Sequence, residues 1–168
     1  MIRIIKPGPA TTIQDQGRTG HQHLGVPCSG PFDPLAAIAA NRCVGNGPDA
    51  PLLEATLIGP SIQVDAGTTV AVIGTGIQAT LCERELIPGE PRTSQTEGLL
   101  QVRSTGHHIR FPIAFRGGIV ARSHLGSVSQ LPRARLGNPP LRAGDEFELG
   151  DHARLSPIVL TPPSLSRR

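Results

Sequence analysis

Asp15, Arg18, His21, His23, Ser29 and Asp33 fall in one stretch, Thr11 to Asp33, which reads TTIQDQGRTGHQHLGVPCSGPFD. A carboxylate and a guanidinium held close together can orient a small carboxylate, an amide or a phosphate through charge-assisted hydrogen bonds. A carboxylate in such a pocket can also act as a general base. The same two residues could equally form an internal salt bridge that pins the stretch, and the residue types leave both roles open. Asp33 stands before Pro34, so a helix cap is the stronger of its two roles. Glycines at 17, 20, 25 and 30 break every 3.6- or 2-residue apolar repeat here, so the stretch reads as a loop. Long ordered loops in compact domains commonly carry function.

Other chemistries are excluded by residue type. Lys6 is the only lysine and sits in KPGP, so no P-loop lysine, Schiff-base lysine or biotin-attachment site is expected. Gly74-Thr75-Gly76 is a lone G-x-G running into a strand, a weak dinucleotide signal, and no G-x-S-x-G occurs. His21-x-His23 lacks a third ligand at useful spacing, and His107-His108 reads as a solvated turn, so no metal is expected. Cys28, Cys43 and Cys82 are far apart and form no C-x-x-C pair, which fits reduced thiols in a cytoplasmic protein.

The chain has 168 residues and a net charge of +3, enough for one domain with a real core. Basic residues are scattered and no Trp or Tyr is present, which argues against a nucleic-acid surface. The opening MIRIIKPGPA is too short an apolar run for a signal peptide, and no stretch is long enough to cross a bilayer.

The elements that must position the loop follow from the punctuation. Ile2 to Ile5 is expected as a strand ended by Pro7-Gly8-Pro9. Asp33-Pro34 starts a helix to about Val44, with Gly45 as its stop and Leu35, Ile38, Ala39 and Cys43 as its apolar stripe. Arg42 lies in that stripe, and Glu54 lies on the second face of a strand from Leu52 to Ile58 that buries Leu53, Ala55 and Leu57. A Glu54–Arg42 pair would resolve both oddities. Further strands are expected at Ser61–Asp65, Thr69–Ile73, Gln78–Cys82, Leu99–Arg103, Ile109–Phe115 and Glu146–Leu149. Glu83–Glu97 and Ile119–Gln130 read as loops, and the Pro/Ser/Arg tail at 161–168 as frayed. Many short strands with one early helix point to a β-rich barrel or sandwich.

The opening stretch, AANRCVGN at Ala39 to Asn46, LLEATLIGP at Leu52 to Pro60 and AVIGTG at Ala71 to Gly76 resemble the carboxyltransferase-type family. That family includes allophanate hydrolase subunit 2-like proteins, one of the subunits of the bacterial 5-oxoprolinase complex and a kinase-inhibitor antagonist. AFRGGI, HLGSVSQ and LRAGDEFELG continue the likeness more weakly. The resemblance implies a cyclophilin-like β-barrel with one early short helix, over residues 1–160. It also implies a cytoplasmic subunit working with a cyclophilin-like partner and a third catalytic subunit. The implied activity is ATP-dependent opening of 5-oxoproline to glutamate; alternatives are biotin-dependent carboxyl transfer to urea or a similar amide, and non-catalytic regulation of the partner. ATP would be bound with or by a partner, and biotin supplied by another chain.

The family's QD-x-GR-x-G pattern falls on Gln14, Asp15, Gly17, Arg18 and Gly20, and its GVP-x-SG-x-x-D pattern on Gly25, Val26, Pro27, Ser29, Gly30 and Asp33. On this footing Asp15 and Arg18 are the expected catalytic pair. Gln14, His21, Ser29, Gly30, Asp33 and Ser127 are expected to bind substrate, and Arg42, Asn46 and Glu54 to be structural. Two departures stand out. Pro31-Phe32 replaces a small residue and Met, and Gly126-Ser127-Val128-Ser129-Gln130 replaces Gly-Ser-Arg-Ser-Thr. Family members also run on into a second region that helps build the cleft, so the expected subunit is a shortened one.

Overall fold

The structure, a computed structural model, describes residues 1–106 and 109–160. The expected His107–His108 turn and the tail at 161–168 lie outside the described residues. The strands are β1 (Ile2–Lys6), β2 (Thr12–Gln14), β3 (Leu52–Thr56), β4 (Ile58–Val64), β5 (Thr69–Val72), β6 (Ile77–Leu81), β7 (Arg84–Leu86), β8 (Arg92–Thr93), β9 (Gly98–Ser104), β10 (Arg110–Phe115) and β11 (Glu146–Phe147). A single α-helix, α1 (Pro34–Cys43), and two one-turn 3-10 helices complete the described elements. The fold is therefore mainly β with one helix, as the sequence implies.

Two antiparallel sheets, β11-β1-β4-β9-β6-β7 and β2-β3-β10-β5-β8, face each other. Among the described residues, their end strands do not pair into a closed ring. Strand alternation divides each apolar run between two cores. Val70, Val72, Ile113 and Phe115 point between the sheets with Ile4, Ile62 and Leu100. Ala71 and Ala114 point the other way, to α1. No described helix is long and apolar enough to cross a membrane.

The helix starts as its sequence dictates: Asp33 accepts a 3.0 Å bond from the Ala36 amide, and Pro34 opens the first turn. It ends at Cys43, and Gly45 follows at φ +79, where an added Cβ would lie 2.2 Å from the Leu155 carbonyl. Its buried face differs from the expected stripe. Cys43 is buried as expected, but Leu35 is 77% exposed, Ile38 and Ala39 are half-buried, and Ala37, Ala40 and Asn41 take the inside. The helix lies on alanines of β5 and β10, and small residues on both sides allow that close approach.

The expected Glu54–Arg42 pair does not form. Glu54 accepts a 2.6 Å bond from the Phe32 amide and lies 3.6 Å from Arg110, whose guanidinium also covers the Phe32 ring. The Nη1 of Arg42 is buried without a partner among the described residues. Leu57 is not part of the buried face either: it takes φ +57, is half exposed, and separates β3 from β4. The segment read as a loop from Glu83 contains β7 and β8. Cys82 and Glu83, both at positive φ, make the tight β6–β7 turn that usually calls for Gly, Asn or Asp.

Candidate functional site

The opening stretch is a loop only in part. Thr12–Gln14 pairs with β3 and seats Ile13 in the main core, so the residue after it, Asp15, leaves the sheet from a fixed point. Across from it, His124 and Ser127 close a tight turn with two backbone bonds, with Leu125 and Gly126 at positive φ. That turn delivers Ser127, Val128 and Ser129 to Asp15.

The carboxylate of Asp15 is the meeting point. Its Oδ1 accepts from the Ser127 hydroxyl at 2.5 Å, the Ser129 hydroxyl at 2.6 Å and the Gly17 amide at 2.9 Å. Among the described residues, its Oδ2 accepts only from the Val128 amide, at 2.8 Å. A carboxylate offers two acceptor positions on each oxygen, so Oδ1 is saturated and Oδ2 keeps one free. Burial pushes the Asp15 carboxyl up, and the bonds from Ser127, Ser129, Val128 and Gly17 outweigh it, holding the group below its ordinary value. Asp15 is thus an ionised acceptor at neutral pH and a weak base.

Arg18 sits behind this carboxylate. It is 1% exposed, and its guanidinium donates to the Ser29 hydroxyl at 2.7 Å, the His124 carbonyl at 3.3 Å and the Ser129 carbonyl. Among the ion pairs of the described residues, none joins it to Asp15. Instead both residues bind the 124–129 segment, Arg18 through two of its carbonyls and the Asp15 carboxylate through two of its hydroxyls and one amide. Gly17 makes the junction possible: at φ +83, an added Cβ would lie 2.6 Å from the Cys28 carbonyl and 2.9 Å from that of Ser29. Ser29 holds a left-handed φ of +60, a strained conformation for a non-glycine, where it receives Arg18. The backbone of Gly30 packs against Asp15 and Gln16.

The remaining expected residues lie apart. Gln14 is buried and donates to the Gln130 carbonyl and the Thr12 hydroxyl. His21 precedes the 3-10 turn Gln22–Leu24 without capping it through its side chain, and Asp33 is occupied as the cap of α1. Asn46, fully buried, donates to the Phe115 carbonyl and the Asn41 side chain and accepts from the Gly117 amide, tying the end of α1 to the end of β10.

In front of Asp15 opens a cleft of about 420 Å³, walled by Gln16, Asp49, Val120, Asp151 and His152. Nothing local in the sequence marks Asp49, Asp151 or His152 as part of it. Ser129 does carry a usable signal: Ser127 and Ser129 alternate in an extended segment and so share a face. Among the described residues no three His, Cys, Asp or Glu side chains are placed to hold a metal. The described lining of the cleft has three carboxylates and neither Arg nor Lys. It does not fit the phosphates of ATP, which such a field repels.

Residues 24–167 match the family described as carboxyltransferase domain, subdomain A and B. The chain is 37% identical to urea amidolyase of Saccharomyces cerevisiae over 89% of its length, covering 8% of that protein. It is 31% identical to a 5-oxoprolinase subunit of Escherichia coli over 92% of its length, covering 51% of that protein. The crystal structure of urea carboxylase from Kluyveromyces lactis superposes with a TM-score of 0.86 at 31% identity, over 94% of this chain and 15% of that one. The chain thus spans about half the length of the 5-oxoprolinase relative and a small part of the urea-directed ones.

Proposed function

This chain belongs to the carboxyltransferase domain family, and on that premise we propose that it serves a 5-oxoprolinase-like, ATP-dependent amidohydrolase that opens 5-oxoproline to glutamate together with partner subunits. The observation that carries the reading is the free acceptor position on Asp15 Oδ2 beside a polar cleft. An ionised, partly desolvated carboxylate with one vacant lone pair can accept a charge-assisted hydrogen bond from an amide N–H. Asp15 would orient the amide nitrogen without taking its proton, since the group is a weak base. Arg18 acts as a positioning residue through Ser29 and the 124–129 carbonyls. The anionic cleft supports a reading in which a partner subunit holds ATP and also receives the substrate's own carboxylate, which this field repels as it does phosphate.

Carboxyl transfer from a biotinylated carrier to a urea-like amide is the second reading, favoured by the urea amidolyase and urea carboxylase likeness. The lone lysine lies in a Pro-Gly turn, so the biotinylated carrier would lie outside these 168 residues. Co-purification with the partner subunits, followed by assay of ATP-dependent glutamate release from 5-oxoproline, tests the first reading. Transfer of ¹⁴C from carboxybiotin to urea, with no glutamate release, would replace it with the second. A stable complex with neither activity would leave a regulatory binding module.

A further inference from the structure

A second cavity, of about 680 Å³, has Gln130 in its lining. Residues 7–12 form one wall and residues 132–141 the other. Its surface is mostly apolar and includes five prolines, Pro7, Pro9, Pro132, Pro139 and Pro140. Among the described residues no Asp, Glu or Lys lines it, and the one cation that does is Arg135. Arg135 is exposed, and its guanidinium has no hydrogen bond or ion pair among the described residues. The 3-10 turn Pro132–Ala134 ends on it at a left-handed φ of +50.

The floor is fixed before anything binds. Gln130 accepts from the Ile13 amide at 2.7 Å through Oε1, and its Nε2 donates to the Asn138 carbonyl at 3.0 Å and the Pro139 carbonyl at 2.5 Å. Gly137 is held against the same segment, where an added Cβ would lie 2.7 Å from the Ser129 carbonyl. A preformed cavity of this size suits a drug-sized ligand and spares it the cost of ordering the walls. Rigid pyrrolidine rings pack on aromatic faces, the pairing that Pro-rich segments use in aromatic grooves.

We propose that this cavity is a binding site for a small aromatic monoanion, its ring against the proline walls and its carboxylate on Arg135. The charge follows from one unpaired guanidinium with no acidic neighbour in the described lining, which selects an anion over a neutral or cationic isostere. The site stands independently of the amide reading, because the two cavities share no lining residue.

The probe is 2-naphthoate, whose fluorescence is readable against this chain because it contains no Trp or Tyr. Titration of the full chain with 2-naphthoate and with neutral 2-naphthamide, each checked by calorimetry, gives the two affinities. The expected result is one saturable site that prefers the acid by about ten-fold, the worth of one charge-assisted hydrogen bond. Arg135→Gln should abolish that preference while leaving the amide affinity unchanged. Arg103→Gln, which is not part of the cavity lining and is bonded to Gln78, should keep it. The proposal is overturned by any of three results: no saturable binding up to the solubility limit, equal affinity for acid and amide, or a preference that survives Arg135→Gln.

Discussion

Replacing Asp15 with Asn changes one oxygen to an NH₂ and removes a charge that four donors share. If the remaining carbonyl takes the Oδ1 position, it keeps Gly17, Ser127 and Ser129 but without charge assistance. The NH₂ then faces the Val128 amide, a buried donor left without an acceptor. One orphaned donor costs about 1–3 kcal/mol, and weakening three bonds adds roughly another 1 kcal/mol. Asp15→Asn should therefore lose about 2–4 kcal/mol at neutral pH, a large share of a domain's usual stability but short of unfolding it. The sign with pH follows from the lowered folded pKa: the stabilisation is fully present above the ordinary value of 3.8 and is lost as pH falls through the lower folded value. The assay is urea unfolding followed by far-UV circular dichroism, for wild type and variant, at pH 7 and at steps below pH 4. The gap between the two should narrow as pH falls. A gap under about 1 kcal/mol at pH 7, or one that does not change with pH, would refute the claim that this carboxylate fastens the two loops.

Gly17→Ala should lose more than about 2 kcal/mol, since it adds a backbone clash to the left-handed penalty, whereas Gly20→Ala, at φ +85 with open space around it, should lose only about 1–2 kcal/mol; urea midpoints compare the two. Asn46→Ala leaves the Phe115 carbonyl and the Gly117 amide unpaired in the interior and should cost about 2–4 kcal/mol, read as a drop in melting temperature. Burial raises the Glu54 carboxyl, with Asp33 adding to the rise and the Phe32 amide and Arg110 offsetting part of it. The folded state therefore favours the protonated form, and wild-type stability should fall as pH rises through that raised value from about 4.5 upward. Glu54→Gln should remove this fall; a variant whose urea midpoint tracks wild type across that range contradicts it.

The helix start is legible in the sequence because Asp33-Pro34 is a local device, and the strands around Val70, Leu100 and Ile113 are legible because short apolar runs bounded by turn residues announce themselves. The helix face is hidden. The stripe of larger apolar residues, Leu35 and Ile38, suggests the inside, yet the sheet beneath presents alanines, and contact with them selects Ala37 and Ala40. The β6–β7 hairpin is hidden for the opposite reason: its turn uses Cys82 and Glu83, which carry no turn signal. At the site, residue types alone do not separate the two roles of Asp15 and Arg18. Their bonding partners are set by a segment more than a hundred residues away in sequence, whose two serines bind Asp15 and whose carbonyls bind Arg18. Glu54 finds Arg110 rather than Arg42 through the β3–β10 register, which places Arg110 opposite Thr56. Long-range registry of that kind has no local signature.

The central claim is that the free acceptor on Asp15 Oδ2 receives a substrate amide in the cleft before it. Its most direct test is steady-state kinetics of 5-oxoproline hydrolysis in the complex with the partner subunits. Wild type, Asp15→Asn and Val120→Trp would be compared at equal folded fraction. Val120 is half exposed at the cleft and touches none of the bonds that hold Asp15, so the bulkier residue obstructs the cleft without disturbing the fastening. The account predicts that Asp15→Asn lowers kcat/KM by about a hundred-fold, the worth of a charged contact to substrate, and that Val120→Trp raises KM. Wild-type kinetics in both variants would contradict it.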